Sequence, residues 1–197
     1  MRIELCGGMG SGKTTLALAL EKKFHNYIAV LEAFSNAGFF SEFYDDIHSY
    51  AYETSITCLL YHLHRVKVFE RQGMMMICDF SLEQDWAYAK NNLNSQEWQS
   101  FLFVYEEAIR QIQPPDLIVF LDCPEEVLLS RIKTRGRKYE NSIDVKYIQN
   151  IISVLEGHLE ICKYPVFKLN SFQYDFRNSQ EISKILMELP EEYHFFH

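Results

Sequence analysis

The chain has 197 residues, of which 48% are hydrophobic and 23% charged, proportions of a folded globular protein that exclude a disordered or low-complexity chain. Lys and Arg number 19 against 27 Asp and Glu, a net charge of -8, so a general nucleic-acid binder is excluded and any polyanion needs a local cationic site. No apolar run approaches the roughly 18 residues of a membrane span, and no basic segment followed by an apolar stretch opens the chain, so neither a membrane anchor nor a secretory signal is expected.

Arg2 to Cys6 reads as a short apolar strand running into glycine. Lys13 to Phe24 reads as a helix, with Leu16, Leu20 and Phe24 at spacing four. Tyr27 to Leu31 is a second strand, followed by a loop from Glu32 to about Ser41. Tyr52, Ile56, Leu59, Leu63 and Val66 step by four and three, which predicts a long amphipathic helix closed by Gly73. Met74 to Cys78 is a third strand, buried on both faces. Trp98, Phe101 or Leu102, Tyr105, Ile109 and Ile112 predict another helix, stopped by Pro114-Pro115. Leu117 to Leu121 is a fourth strand, and Val127 to Thr134 a helix leading into a basic run. Val145, Ile148, Ile152, Leu155 and Leu159 repeat the helical step. Pro165 to Leu169 is a fifth strand, and Ile182 to Leu189 a closing helix. Strands alternating with helices predict an α/β fold with a parallel sheet covered on both faces. Length, and the lack of any repeat or linker, predict a single domain over 1–197. Ligands of such sheets bind beyond the carboxyl ends of the strands.

Gly7-Gly8-Met9-Gly10-Ser11-Gly12-Lys13-Thr14 matches G-x-x-x-x-G-K-[ST] and holds four of the chain's eight glycines. It follows a strand and opens a helix, the context that a phosphate loop requires. Backbone N–H groups must wrap around phosphate oxygens, and a Cβ would obstruct them. Residues Gly7 to Thr15 are therefore the candidate nucleotide site, with Lys13 reaching the β and γ phosphates and Thr14 binding Mg²⁺.

A small protein with this loop is a GTPase, an ATPase module or a small-molecule kinase. The guanine-reading N-K-x-D is missing, and Asp79 is followed by Phe80-Ser81-Leu82 where a switch protein has D-x-x-G. Glu32 and Asp79 close the second and third strands, so both carboxylates should stand over the loop. One can take a proton from an acceptor hydroxyl while the other holds Mg²⁺. Arg131 to Lys138 packs five cations into eight residues, with Arg131 and Arg135 on one helix face. A cationic lid there, over about 131–141, would neutralise charge developing on a transferring phosphoryl group. The five cysteines, Cys6, Cys58, Cys78, Cys123 and Cys162, show no C-x-x-C spacing and read as thiols of a reducing, cytoplasmic compartment. His62 and His64, two apart on a helix, point to different faces and are no metal pair.

Together these residues resemble the deoxyribonucleoside kinase family, in particular its bacterial deoxyadenosine/deoxyguanosine kinases, over nearly the whole chain. Leu31-Glu32 falls where the family has a Glu-Pro pair carrying the catalytic base, with Ala33 in place of the proline. Phe39 to Asp46 is similar to the segment that holds the sugar, with Tyr44 on the 3′-hydroxyl and Glu140 as its partner. Pro115 to Asp122 resembles the family's fourth strand, Arg131 to Glu140 its lid, and Asn170 to Phe176 the loop beside the donor's adenine. The resemblance implies a three-layer P-loop kinase fold with five parallel strands and an Arg-rich lid. It implies ATP and Mg²⁺ as cofactors, a deoxynucleoside phosphorylated on its 5′-hydroxyl, and a homodimer formed through the long helices. By the same resemblance Glu32 is the base, Lys13, Arg131, Arg135 and Arg137 stabilise the phosphoryl group, and Thr14 and Asp79 hold the metal. Phe80 stands where the family has an arginine after the third strand, and Ser55 or Cys58 where it reads the base with glutamine. These two departures keep a kinase of another small acceptor, such as a nucleoside monophosphate, and a non-catalytic nucleotide-binding protein as alternatives.

Overall fold

The computed structural model describes residues 1–32, 39–137 and 143–193, apart from the side chains of Phe39, Phe40 and Glu192. In chain order these form β1 (Arg2–Gly7), α1 (Lys13–Lys23), β2 (Tyr27–Val30), α2 (Phe39–Asp45), α3 (Ile47–Arg71), β3 (Met75–Cys78) and α4 (Leu82–Asn92). Then come α5 (Ser95–Ile109), β4 (Leu117–Asp122), α6 (Glu125–Arg135), α7 (Val145–Ile161), β5 (Val166–Asn170), α8 (Ser179–Glu188) and a 3-10 turn at Glu191–Tyr193. The five strands make one parallel sheet in the order β2-β3-β1-β4-β5.

Successive strand residues point to opposite faces, and both faces are buried. Ile3 and Leu5 of β1, Ile77 of β3 and Leu117, Val119 and Leu121 of β4 pack with Leu16 and Leu20 of α1 and Ile182 and Ile185 of α8. The intervening residues face the other way. Met76 and Cys78 meet Val66 of α3, while Cys6, Ile118 and Phe120 meet Ala87 of α4 and Leu155 and Leu159 of α7. A further layer forms where Leu59 and Leu63 of α3 pack on Phe101 and Tyr105 of α5. The three-layer α/β architecture with five parallel strands is the one expected.

Two helices were not anticipated. α2 lies partly inside the segment expected to be loop up to Ser41. α4 was missed entirely, because its buried side carries Glu83 and Asn92 beside Leu82, Ala87 and Ala89, so no apolar stripe marks it. Its start is fixed instead by Ser81, whose side chain accepts from the Gln84 N–H. Asp46, Asn94, Asp144 and Asn178 cap α3, α5, α7 and α8 in the same way. α1 has no side-chain cap and begins at Gly12, which leaves its first N–H groups open.

The sheet register sets up the site. Val30 pairs with Cys78, and Cys78 with Glu4, so the residues just past β2 and β3 emerge together beside the loop after β1. Gly7, where β1 enters that loop, has φ +137°, and a Cβ there would lie 2.7 Å from the Leu121 carbonyl oxygen. Gly7→Ala should therefore lower the unfolding free energy by about 1–3 kcal/mol, from backbone strain and that collision. Urea unfolding checks this; a midpoint equal to that of the unaltered protein would mean the two strands separate at no cost.

Candidate functional site

A cleft of about 670 Å³ opens at the carboxyl edge of the sheet, within the size range of small-molecule sites. Its floor is the loop and start of α1, from Met9 and Gly10 to Gly12, Lys13, Thr14 and Thr15. Gly7, Gly8 and Ser11 shape the loop from behind and do not line the cleft. The Ser11 N–H donates to the Gly8 carbonyl at 3.1 Å. Gly7 N–H donates to Gln84 Oε1 at 2.9 Å, which ties the loop to α4. Gly12 sits at φ +106° with the Phe176 ring against it, so a side chain there would meet an aromatic wall.

Lys13 Nζ was expected to reach outward to phosphates. In this structure it donates to the Gly7 and Gly8 carbonyl oxygens at 2.8 and 3.2 Å, folded over its own loop. Burial holds its pKa below the ordinary lysine value, against the raising pull of Glu32 and Asp79.

The two strand-end acids are joined through the backbone. Asp79 is 3% exposed. Its Oδ2 accepts from the Thr14 hydroxyl at 2.6 Å, and its Oδ1 from the Glu32 N–H at 2.6 Å. Burial raises the Asp79 pKa, with the Thr14 and Glu32 hydrogen bonds pulling the other way. Glu32 lies two residues past β2, and its side chain is 42% exposed in the cleft. Burial would raise its pKa, but the His62 imidazole, Lys13 and Arg137 together hold it below the usual carboxylate range.

His62 was not among the expected site residues, yet it is central here. It is 2% exposed. Its Nδ1 lies 2.7 Å from Asp85 Oδ2, and its Nε2 3.6 Å from Glu32 Oε1. The ring stacks on Phe80, centroids 4.0 Å apart and planes at 8°. Burial alone would favour the neutral imidazole. The Asp85 charge and hydrogen bond, and then Glu32, outweigh it and raise the pKa to about 10. A trace of this wall lay in the sequence: Thr54, Cys58 and His62 step by four along the amphipathic α3, and all three line the cleft with Ser55. Gln84, Asp85, Tyr88 and Asn92 of α4 face them and went unforeseen with their helix.

Ser55, Cys58, Tyr44 and Asp79 all line the cleft. The Tyr44 hydroxyl lies 3.7 Å from Met9 Sδ. Arg131, Arg135 and Arg137 stand on the opposite rim. Arg131 donates to the Gly10 and Ser11 carbonyl oxygens at 3.2 and 3.3 Å, so it buttresses the loop in addition to facing the cleft. Tyr174, Asp175, Phe176 and Arg177, past β5, complete that side. Glu140 and the end of the expected lid lie outside the described residues, as does the Phe39 side chain.

Among the described residues no group of three or more His, Cys, Asp or Glu could hold a metal. Thr14 and Asp79 offer one hydroxyl and one carboxylate, a hard-oxygen pair that fits Mg²⁺. That ion takes one or two protein oxygens and completes its shell with water and substrate phosphates.

Three comparisons bear on this site. A family model described as deoxynucleoside kinase matches residues 3–193. The chain is 27% identical over 161 residues to a deoxyguanosine kinase of Bacillus subtilis, covering 78% of this chain and 76% of that protein. It is 29% identical over 187 residues to a thymidylate kinase of Clostridium novyi, covering 87% and 90%. Among solved structures, a deoxyadenosine kinase from M. mycoides with bound dCTP superposes with a TM-score of 0.80 at 22% identity, over 95% of this chain and 98% of that one.

The electrostatics predict a charged histidine at neutral pH. The stability it contributes is complete below its ordinary value of 6.5 and is lost as pH rises through about 10. Asp85→Asn removes its strongest partner, and the His62 titration midpoint should fall by roughly 1–3 pH units. NMR of isotope-labelled histidine reads this directly; an unmoved midpoint would show that Glu32 alone keeps the ring charged.

Proposed function

The chain belongs to the deoxynucleoside kinase family, and we propose that it transfers the terminal phosphoryl group of ATP to the 5′-hydroxyl of a deoxynucleoside, with Glu32 as the general base. The whole chain, 1–197, acts in this reading as one kinase domain. Asp79 carries the reading: its two oxygens join the Glu32 backbone to the first turn of α1, which fixes an acid beside the phosphate loop. Glu32 accepts the hydroxyl proton as the sugar oxygen bonds to the terminal phosphorus and the bridging P–O bond breaks. Its lowered pKa keeps it ready as a carboxylate.

Open N–H groups of the loop and α1 receive the phosphates, with no side-chain cap to compete for them. Lys13 moves its amine from two loop carbonyls to phosphate oxygens, and Arg131, Arg135 and Arg137 supply further positive charge. Thr14 and Asp79 would hold Mg²⁺, which would neutralise phosphate charge. Tyr44 holds the sugar, and the family resemblance assigns Glu140 and Phe39 to the same substrate. Ser55 and Cys58 lie where the base is accommodated. Tyr174 and Phe176 flank the donor's adenine. Two copies pair through the long helices, supported by outward apolar residues such as Leu60 on α3. The five free thiols suit a reducing compartment such as the cytoplasm.

A nucleoside monophosphate as acceptor is the second reading. Phe80 removes a cation expected near the 5′-oxygen, and a thymidylate kinase is among the relatives.

Assays with labelled ATP against deoxynucleosides and their monophosphates separate the two. Phosphate appearing only on monophosphates would overturn the first. Glu32→Gln should lower kcat on the preferred acceptor by about 10²–10⁴ while nucleotide affinity persists; a near-normal kcat would show that another group takes the proton.

A further inference from the structure

We infer that His62 is a positioning residue for Glu32, supplying from α3 the cation that Phe80 does not supply from the loop after β3. The inference rests on Glu32 being the base, and it concerns how this chain holds that base in place.

Glu32 needs two holds. Its backbone is pinned by Asp79, but that bond says nothing about where the carboxylate points, and the side chain is 42% exposed. Two other cations contribute to its electrostatics, Lys13 and Arg137. Lys13 has its amine on two loop carbonyls and a triphosphate to receive. Arg137 follows α6 on the exposed rim. His62 is different in kind, because every degree of freedom of its ring is taken up. Asp85 fixes Nδ1 at 2.7 Å, Phe80 fixes the plane by stacking at 4.0 Å, and Tyr61 lies edge-on at 6.0 Å. Nε2 then stands at ion-pair distance from Glu32 Oε1, 3.6 Å away, longer than a hydrogen bond.

Phe80 acquires a reason in the same arrangement. A buried aromatic shelf is what a flat imidazole needs in order to stay in register. An arginine there would bring a second cation against the ring. The histidine holds one Glu32 oxygen and leaves the other to accept a proton from the acceptor.

A double-mutant cycle with Glu32→Gln and His62→Gln tests this, with kcat, acceptor KM and ATP affinity measured separately. His62→Gln should lower kcat by roughly 10- to 100-fold, as expected when a catalytic group is misplaced by about an ångström, and should leave ATP affinity within about twofold. The double variant should be no slower than Glu32→Gln alone, since there is then no base to position. Losses that multiply in the double variant would overturn the inference, as would a raised acceptor KM at unchanged kcat, which would move His62 to the nucleobase. A normal kcat for His62→Gln beside a crippled Glu32→Gln would sink this inference and spare the base. A normal kcat for Glu32→Gln would remove both. If His62→Gln fails to hold ATP, His62→Ala with added imidazole decides: recovered kcat supports the role, and none overturns it.

Discussion

The site depends on one buried carboxylate with two partners on different segments. Asp79 emerges after β3, between β2 and the central β1, and is almost sealed from water. Left unpaired, such a group would cost several kcal/mol or stay protonated. The Thr14 hydroxyl and the Glu32 N–H satisfy it, each at 2.6 Å. The energetic demand of one acid thereby fixes the spacing between the glycine loop after β1 and Glu32. Parallel pairing of β2, β3 and β1 brings the three segments to the same edge, and Asp79 turns that proximity into a geometry.

α4 performs the corresponding task for the far wall. Its buried side is polar, and each polar group has a counterpart. Gln84 accepts from the Gly7 N–H, Asp85 meets His62, Glu83 bonds His158, and Asn92 donates to the Tyr147 hydroxyl at 3.0 Å. His158 in turn stacks on Trp86, centroids 3.8 Å apart. A helix held this way is anchored by directional contacts as well as by apolar packing. It transmits position from the sheet and α7 to the side chains facing the cleft.

Where the chemistry had a local pattern, the sequence disclosed it. The loop glycines, Lys13 and Thr14 are contiguous, and the strand-end acids follow apolar runs, so both were legible without coordinates. Most of the sheet was legible because its inner strands are buried on both faces and largely apolar, while the edge strand β5, mostly exposed, was marked by its apolar Val166, Phe167 and Leu169. The His62, Asp85 and Phe80 group was not legible, since its members come from α3, α4 and the loop after β3 and meet only in three dimensions. α4 itself hid because helical periodicity is read from apolar residues, while this helix buries Glu83 and Asn92. Phe80 was visible only as a departure from a family pattern. Its ring gains a structural meaning once the histidine stacked on it is seen.

The same contrast bears on how charge is distributed across the cleft. In a chain of net charge -8, five cationic side chains, Lys13, Arg131, Arg135, Arg137 and Arg177, line the cleft. Asp79 and Glu32 stand among them, Asp79 on the Thr14 hydroxyl next to Lys13, and His62 stands between Glu32 and Asp85. Without the imidazolium, Glu32 and Asp85 would face each other as like charges across a poorly solvated gap. Burial and mutual repulsion would then raise the pKa of one of them. Burial still raises the Asp85 pKa, but the charge and hydrogen bond of the stacked histidine pull it back, and the same imidazole helps hold Glu32 below the usual carboxylate range.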